Sequence, residues 1–488
     1  MTPDPTTPLS PAAALAAGTR EPVTFPSGFV WGAATAAFQI EGATDADGRT
    51  DSIWDAFCRI PGAVIGGDTG ERACDHYHRV DEDVELMSSL NLGSYRFSVA
   101  WPRVRPDAGP VNAAGLAFYD RLVDRLLERD IMPWVTLYHW DLPQALEDRG
   151  GWTDRDTAYR FAEYAVSVHD ALSDRVDLWT TLNEPWCSAF LGYTGGQHAP
   201  GRQDEAAGLV AAHHLLLAHG LATEEIRRRQ PGARTGITLN LSPVSAADPD
   251  DAADLDAARR IDGFQNRVFL DPLLRGAYPK DLLEDTAHLD WQDAVHPGDL
   301  ETIAAPIDVL GINYYTGAHV SGRPDAGEPA PAAAVPERPT RSPFPVSDDI
   351  TFPGRGLPTT AMGWEVQPWG LRDLLVRLKD DYPTLPQIYI TENGAAYDDT
   401  VDEDGEVRDQ DRIDYVDAHL RALKEAMDEG VDVGGYFVWS LLDNFEWAYG
   451  YEKRFGVVHV DYETFQRTPK SSALWYARVA ASGTLSGE

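Results

Sequence analysis

The stretch Tyr389–Gly394, which reads YITENG, decides how this chain is interpreted. It continues an apolar, β-prone run that begins after Pro386, so it predicts a short buried strand, and Glu392 stands where that strand should end. An ionised glutamate is almost never buried without a partner, so packing gives no reason for a carboxylate there. The stretch Leu178–Pro185, LWTTLNEP, has the same form around Glu184. Two acids at the ends of two strands predict a common cleft in a barrel.

Apolar, β-prone runs alternate with helical patterns along the chain. The predicted strands cover residues 29–35, 94–99, 133–138, 178–184, 234–239, 307–312, 387–391 and 434–439. The predicted helices include 72–89, 116–129, 155–172, 205–228, 255–269, 368–379, 412–427 and 471–480. This alternation predicts an α/β fold, a single (β/α)8 TIM barrel with long βα loops. An open doubly wound sheet is the main alternative, but it needs a glycine-rich phosphate loop after an early strand, and residues 36–39 read AAFQ.

The predicted barrel domain covers residues 23–481. Residues 1–22 are rich in Pro, Thr and Ala and lack the basic start and apolar length of a signal peptide, so they predict a disordered N-terminal tail. Residues 482–488 are predicted to form a short C-terminal tail. Residues 317–358 are rich in Pro, Ala and Gly without periodicity, and they predict a long surface loop that shapes a pocket mouth.

Charge and cysteine content narrow the possible partners. Asp and Glu outnumber Lys and Arg by 78 to 41, giving a formal charge of −37, which disfavours nucleic acid and anionic membrane surfaces. No run approaches the roughly 18 apolar residues of a membrane span. Cys58, Cys74 and Cys187 are scattered, fit reduced thiols, and form no zinc-type spacing with His. We therefore expect a cytoplasmic protein without a cofactor or a metal. A homo-oligomer is the alternative to a monomer.

Polar and aromatic side chains stand in or shortly after the predicted strands, whose C-terminal ends share the rim of a barrel where chemistry takes place. They are Gln39, Arg96, His139, Trp140, Asn183, Glu184, Asn240, Asn313, Tyr315, Glu392, Trp439, Glu446 and Trp447. Amides, imidazole and carboxylates suit sugar hydroxyls, and indole rings suit the C–H face of a sugar ring. Two carboxylates without a metal cluster indicate cleavage of a glycosidic bond.

The two carboxylates need opposite protonation states for this reaction. Arg96 and Tyr315 are the expected partners that keep Glu392 ionised. Glu184, close to that charge and partly buried, is expected to have a raised pKa and to hold its proton near neutral pH. A carboxyl separation of ~5–5.5 Å means retention of anomeric configuration and one of ~6.5–9.5 Å means inversion, and the sequence does not give this distance.

Short stretches between Phe29 and about Lys470 resemble, in the same order, the signatures of family 1 glycoside hydrolases, the β-glucosidase family. They are FVWGAATA (29–36) with QIEG (39–42), YRFS (95–98), YHWDLP (138–143), TLNEP (181–185), GINYY (311–315), ITENG (390–394) and WSLLDNFEW (439–447). One such pentapeptide is weak evidence, but a collinear set over nearly the whole chain is highly specific.

The resemblance implies a retaining β-glucosidase with Glu392 as nucleophile and Glu184 as acid/base. Its substrates would be terminal β-D-glucosyl residues of β-glucosides and cello-oligosaccharides, with some β-galactosidase or β-fucosidase activity. A sugar-binding protein without turnover and an enzyme that acts mainly as a transglycosylase are the alternatives.

The resemblance also implies roles for the remaining site residues. Arg96, Asn313 and Tyr315 would surround the nucleophile. The implied substrate contacts are Gln39, His139, Trp140, Asn183, Trp439, Glu446, Trp447 and Phe455, with Trp186, Trp364 and Asn240 on the leaving-group side. Relatives that cleave 6-phosphosugars replace the Glu446–Trp447 pair, and an acid at Glu446 would repel a phosphate, so a free sugar is expected.

Overall fold

The computed structural model describes residues 21–324, 326–329 and 336–487, and eight parallel strands within them close into one barrel. The strands are β1 (Val30–Ala34), β2 (Ser94–Ser98), β3 (Met132–Tyr138), β4 (Leu178–Asn183), β5 (Arg234–Asn240), β6 (Val309–Asn313), β7 (Gln387–Asn393) and β8 (Val433–Trp439). Each strand pairs with the next in sequence, and β8 pairs with β1. The predicted (β/α)8 barrel is confirmed.

Helices pack around the barrel and return the chain to the start of each strand. The longer ones are α1 (His76–Ser89), α2 (Ala113–Leu127), α3 (Asp156–Leu172), α4 (Glu205–Arg229), α5 (Ala252–Asp262), α6 (Val268–Arg275), α7 (Pro368–Asp381), α8 (Gln410–Asp428) and α9 (Ser471–Ser482). Side chains at the N-caps fix several helix starts: Asn112 accepts the Ala114 N–H at 3.2 Å, and Asp204 accepts the Ala207 N–H at 3.1 Å. Pro368 is the first residue of α7. A backbone N–H at this position has no partner within the helix, so the N–H that proline lacks costs no hydrogen bond.

The fifth βα unit differs from the prediction of one helix over 255–269. A π-helical turn, Gly263–Arg267, separates α5 from α6. The Asp262 carboxylate accepts bonds from Asn266 at 2.7 Å and from Arg267 at 2.9 Å across this turn. Because the apolar pattern continues through the wider turn, periodicity alone does not reveal it.

The predicted loop 317–358 contains regular pairing in its described part. Ala318–Val320 pairs in parallel with Val244–Ala246, which follows β5. Ser321 and Thr351 exchange two backbone hydrogen bonds, of 3.0 and 2.9 Å. These pairings fix the loop against the mouth of the barrel.

The chain ends meet on the surface of the barrel. Val23–Thr24 pairs antiparallel with Thr484–Leu485, and Leu485 is fully buried. Regular structure therefore continues past residue 481, where the sequence analysis ends the domain. The predicted N-terminal tail lies, apart from residues 21 and 22, outside the described residues.

Helix α4 is long and apolar enough, by length and composition, to cross a membrane. However, 78% of its most apolar stretch is buried inside the fold. The ring of His219 in this helix bonds the Thr181 hydroxyl of β4 at 2.7 Å. Packing against the barrel accounts for its apolar composition.

Candidate active site

A cavity of about 670 Å³ lies at the C-terminal ends of the barrel strands. The predicted site residues that line it are His139, Trp140, Glu184, Trp186, Asn240, Asn313, Tyr315, Trp364, Glu392, Trp439, Glu446, Trp447 and Phe455. Gln39, Arg96 and Asn183 are fully buried and bond to lining residues or to the chain beside them. The structure thus brings the predicted residues together in one place.

Glu392, near the end of β7, is held by two donors. Its Oε1 accepts from Arg96 Nη1 at 2.8 Å, and its Oε2 accepts from the Tyr315 hydroxyl at 2.8 Å. Burial raises the pKa of Glu392, and the Arg96 guanidinium together with these bonds opposes the rise. Glu392 is therefore the acid of the pair that keeps its negative charge.

Glu184 follows β4 and has a different environment. Its Oε1 accepts from Asn313 Nδ2 at 2.6 Å, and its Oε2 accepts from the Cys187 thiol at 3.1 Å. Burial and the charge of Glu392 raise the pKa of Glu184 to about 8. Near neutral pH this carboxyl holds its proton, as the sequence analysis expects, although burial is the larger cause.

An amide and guanidinium network joins the two acids. Asn183 Oδ1 accepts from Arg96 Nη2 at 2.6 Å and from Asn313 Nδ2 at 3.1 Å. Arg96 also binds Glu392, and Asn313 also binds Glu184. A single side chain therefore connects each carboxyl group to the Asn183 Oδ1 atom. A shift of either acid therefore disturbs the partners of the other.

Backbone conformations near the cavity are unusual for residues with side chains. Glu184 has φ of 45°, Trp140 of 75° and Trp447 of 52°, all in the left-handed region. Such residues cost on the order of 1–3 kcal/mol each and tend to occur at functional sites. The Trp140 indole N–H also donates to the Asn183 carbonyl at 2.9 Å, which ties two strand ends together.

Stacked rings form one end of the cavity. The His139 ring lies 5.8 Å from Trp439 at an interplanar angle of 22°, and Trp140 lies 4.5 Å from Trp447. Burial, with a smaller effect of the Arg96 charge, lowers the pKa of His139 well below its usual value, so this ring is neutral. A neutral, aromatic surface of this kind suits the C–H face of a sugar.

Buried polar atoms at the same end have no hydrogen-bond partner within the described part of the chain. They are Gln39 Oε1, His139 Nδ1 and Glu446 Oε2. Gln39 is fixed by donating to Asn444 Oδ1 at 3.0 Å and to the Phe445 carbonyl at 2.8 Å. Buried polar groups normally find partners, so these atoms indicate a ligand with several hydroxyls.

The charges of the site indicate an uncharged ligand. Glu184, Glu392 and Glu446 are three buried carboxyl groups that line the cavity, and Arg96 forms an ion pair with Glu392. Burial and the two other glutamates raise the pKa of Glu446 to about 8. Beside Glu446 a phosphate would meet a carboxyl group in place of a cation, which is unfavourable. Among the described residues, no group of three or more His, Cys, Asp or Glu side chains is placed to hold a metal ion.

Cys187, Phe344 and Phe352 also line the cavity, although the sequence did not predict them as site residues. Cys187 lies three residues after Glu184 in a helical turn, in which its N–H donates to the Glu184 carbonyl at 3.0 Å. That spacing is the signal that identifies it from sequence. The two phenylalanines lie in the loop 317–358, where no pattern distinguishes them.

Comparison with known proteins confirms the resemblance. The family model described as Glycosyl hydrolase family 1 matches residues 21–484. The chain is 53% identical to the thermostable β-glucosidase B of Thermobispora bispora, over 96% of this chain and 93% of the relative. It is 49% identical to a bifunctional β-D-glucosidase/β-D-fucosidase of Bifidobacterium breve, over 94% of this chain and 98% of the relative.

Solved structures of β-glucosidases superpose closely on this chain. The psychrophilic β-glucosidase BglU of Micrococcus antarcticus superposes with a TM-score of 0.93 at 57% identity, covering 94% of this chain and 98% of that one. The family 1 β-glucosidase of Thermotoga maritima in complex with isofagomine lactam superposes with a TM-score of 0.86 at 45% identity, covering 94% and 99%.

Proposed function

The chain belongs to glycosyl hydrolase family 1, and we propose that it is a β-glucosidase in which Glu392 is the nucleophile and Glu184 the acid/base of a retaining double displacement. The observation that carries these roles is the unequal environment of the two acids. Arg96 and Tyr315 bind Glu392 at 2.8 Å each, whereas Glu184 has an amide and a thiol for partners and a pKa raised to about 8.

In the first step, ionised Glu392 attacks the anomeric carbon while Glu184 gives its proton to the departing oxygen. The bond from the anomeric carbon to the leaving oxygen breaks, and an ester to the Glu392 carboxylate forms. Esterification removes the charge of Glu392, which is one of the two causes of the raised pKa of Glu184.

In the second step, the lowered pKa lets Glu184 act as a base. It takes a proton from water, the water oxygen attacks the anomeric carbon, and Glu392 leaves as a carboxylate. A sugar hydroxyl in place of water gives transglycosylation. Two inversions at one carbon retain the β configuration.

The substrates are small β-glucosides and short cello-oligosaccharides, from which the terminal non-reducing glucosyl residue is removed. Relatives named 1,4-β-D-glucan glucohydrolase in Thermotoga neapolitana support a role in the breakdown of cellulose-derived sugars. The bifunctional glucosidase/fucosidase relative supports tolerance for β-fucosides, and β-galactosides are a further expected substrate. A carboxyl group at Glu446, in place of a cation, favours a free sugar over a 6-phosphosugar.

We also propose a cellular location for the protein and the classes of partner that it does not bind. The three cysteines are free and buried, which supports a reducing, cytoplasmic location. The charge of −37 supports the absence of nucleic acid and anionic membranes as partners. Homo-oligomerisation stays a prediction, and light scattering after size-exclusion chromatography tests it.

The experiment for the proposed function follows hydrolysis of an aryl β-glucoside by NMR. The β-anomer of glucose is expected first, and initial release of the α-anomer would overturn the retaining mechanism. In parallel, Glu392→Gly is expected to lose hydrolysis, and activity like that of the wild type in this variant would remove Glu392 from its role.

A further inference from the structure

Charged side chains form a buried group outside the catalytic cavity. Lys470 is fully buried, and its ammonium donates to Asp443 Oδ1 at 2.7 Å and to Asp399 Oδ2. Two arginines and a third aspartate complete this group, which we call the buried ionic cluster: Asp399, Asp409, Arg412, Asp443, Arg454 and Lys470. In their ionised forms its three acids and three bases balance in charge.

The buried ionic cluster connects two segments that carry residues of the site. Asp443 lies in the segment Trp439–Trp447, three residues before Glu446. Asp399 follows Glu392 by seven residues. Lys470 immediately precedes α9, so a third part of the chain binds both segments through one ammonium group.

Asp443 also fixes the chain on both sides of Phe455. Its Oδ2 accepts from Arg454 Nη1 at 2.7 Å, and its Oδ1 accepts from the Gly456 N–H at 3.0 Å. Phe455, between these two partners, lines the cavity. A displacement of Asp443 would therefore move this ring as well as the segment that carries Glu446.

The charge of Lys470 balances two carboxylates that one ammonium holds close together. Burial and the Arg412 charge lower the pKa of Lys470, and the Asp443 and Asp399 charges oppose that decrease. Without the ammonium, Asp399 would keep Arg412, which donates to it at 2.7 Å, and Asp443 would keep Arg454. The cluster would nevertheless carry one excess negative charge, and like charges repel strongly where water is excluded.

We propose that Lys470 is a positioning residue, which holds the segment Trp439–Trp447 in place beside the nucleophile strand by neutralising Asp443 and Asp399. The inference rests on the proposed function, because it takes Glu446 and the two tryptophans of that segment as sugar contacts. Lys470 itself does not line the cavity and acts through Asp443.

Lys470→Met tests the proposal, because it removes the ammonium and keeps an unbranched side chain. The probe is phenyl 1-thio-β-glucoside, an uncharged and uncleaved analogue that competes with an aryl β-glucoside. We expect its inhibition constant to rise about tenfold, since repulsion between Asp443 and Asp399 displaces the sugar contacts. An unchanged inhibition constant would overturn the proposal. Absence of hydrolysis in the wild type would instead count against the proposed function, so the two failures are distinguishable.

The separate changes in KM and kcat distinguish positioning from a contribution to stability alone. In Lys470→Met, KM for the aryl β-glucoside is expected to rise about tenfold. The kcat of folded molecules should fall less than about threefold, because Arg96 and Tyr315 still bind Glu392. A variant that only loses stability has fewer folded molecules and the KM of the wild type, and this result would contradict the assigned role.

A second substitution should restore binding. Lys470→Met with Asp399→Asn removes one cation and one acid, so the charges balance again while Asp443 keeps Arg454 and the Gly456 N–H. Its inhibition constant is expected within about threefold of the wild type. A value as high as that of Lys470→Met alone would show that neutralisation is not the role of Lys470.

Two further variants complete the test. Arg155→Met removes the cation that binds Asp299 at 2.8 Å between helices outside the cavity, and this matched control should keep the inhibition constant of the wild type. Asp443→Asn serves if Lys470→Met does not fold, because it weakens the same contact and leaves no carboxylate without its cation. An inhibition constant about fivefold higher is expected, and an unchanged value in folded molecules would overturn the proposal.

Discussion

Arg96 Nη1 lies 2.8 Å from Glu392 Oε1 in an ion pair whose side chains are 0% and 4% exposed. The two residues are 296 positions apart in the chain, on β2 and β7. A buried carboxylate without a cation would give up its charge, so this pair is what allows the nucleophile to stay ionised inside the barrel.

Arg96→Met tests that statement. Breaking a buried pair by removing one partner typically costs about 3–5 kcal/mol, and here the cost is expected to appear largely as a protonated nucleophile. We expect kcat/KM for an aryl β-glucoside to fall by about 10²–10³-fold. Arg103→Met is the matched control, because Arg103 binds the buried Glu41 at 3.0 Å outside the cavity. The molecules of this variant that fold should have the kcat of the wild type. Equal losses of kcat/KM per folded molecule in the two variants would refute the assigned role.

Tyr315→Phe tests the second donor to Glu392. The Tyr315 hydroxyl donates to Oε2 at 2.8 Å and so stabilises the ionised form. Its loss raises the pKa of Glu392, so the acidic limb of the kcat/KM profile should move to higher pH. Tyr314→Phe is the control, since its hydroxyl donates to the Gln367 carbonyl at 2.7 Å instead. An unmoved acidic limb in Tyr315→Phe would exclude this contribution.

Cys187→Ala tests the acid/base. The thiol donates to Glu184 Oε2 at 3.1 Å, which favours the ionised form and lowers the pKa of Glu184. Without that donor the pKa of Glu184 rises, so the basic limb of the kcat/KM profile should move to higher pH. Cys58→Ala, a buried cysteine away from Glu184, should leave the limb in place. A shift toward lower pH would show that the thiol acts in another way.

The carboxylates were predictable from sequence because each interrupts an apolar strand where nothing but chemistry explains a charge. Alternation of strands and helices likewise predicted the closed barrel, since eight parallel strands leave few other arrangements. The partners of Glu392 were predictable because Arg96 lies within a predicted strand and Tyr315 shortly follows another, so a closed barrel brings both toward the acids.

Other features depend on contacts that sequence patterns do not encode. The pairing of Ala318–Val320 with Val244–Ala246 joins segments some 74 positions apart, through three residues each. The π-helical turn before α6 keeps the apolar pattern of an ordinary helix. Phe344 and Phe352 reach the cavity in a loop that Arg338 binds to the Gly196 and Gly201 carbonyls. The hydrogen bond from Cys187 to Glu184 follows from the three-residue spacing only when the turn after Glu184 is known to be helical.

Glu446→Gln tests the sugar end of the cavity. Relatives that cleave 6-phosphosugars replace the Glu446–Trp447 pair, which implies a contact with the 6-position of the sugar, and Glu446 Oε2 has no partner within the described residues. A 6-deoxy-β-glucoside lacks only the 6-hydroxyl, so the substitution should lower kcat/KM for a β-glucoside about tenfold more than for the matching 6-deoxy-β-glucoside. Equal losses for both substrates would place Glu446 against another part of the sugar.

The most direct test of the central claim is to trap the ester on the nucleophile. The full chain is incubated with an activated 2-deoxy-2-fluoro-β-glucoside, and the labelled peptide is identified by mass spectrometry. We predict one fluoroglucosyl group per chain, attached to Glu392 and absent when Glu392 is replaced by Gly. A label on Glu184 or on any other residue, or inactivation without a covalent label, would contradict the account.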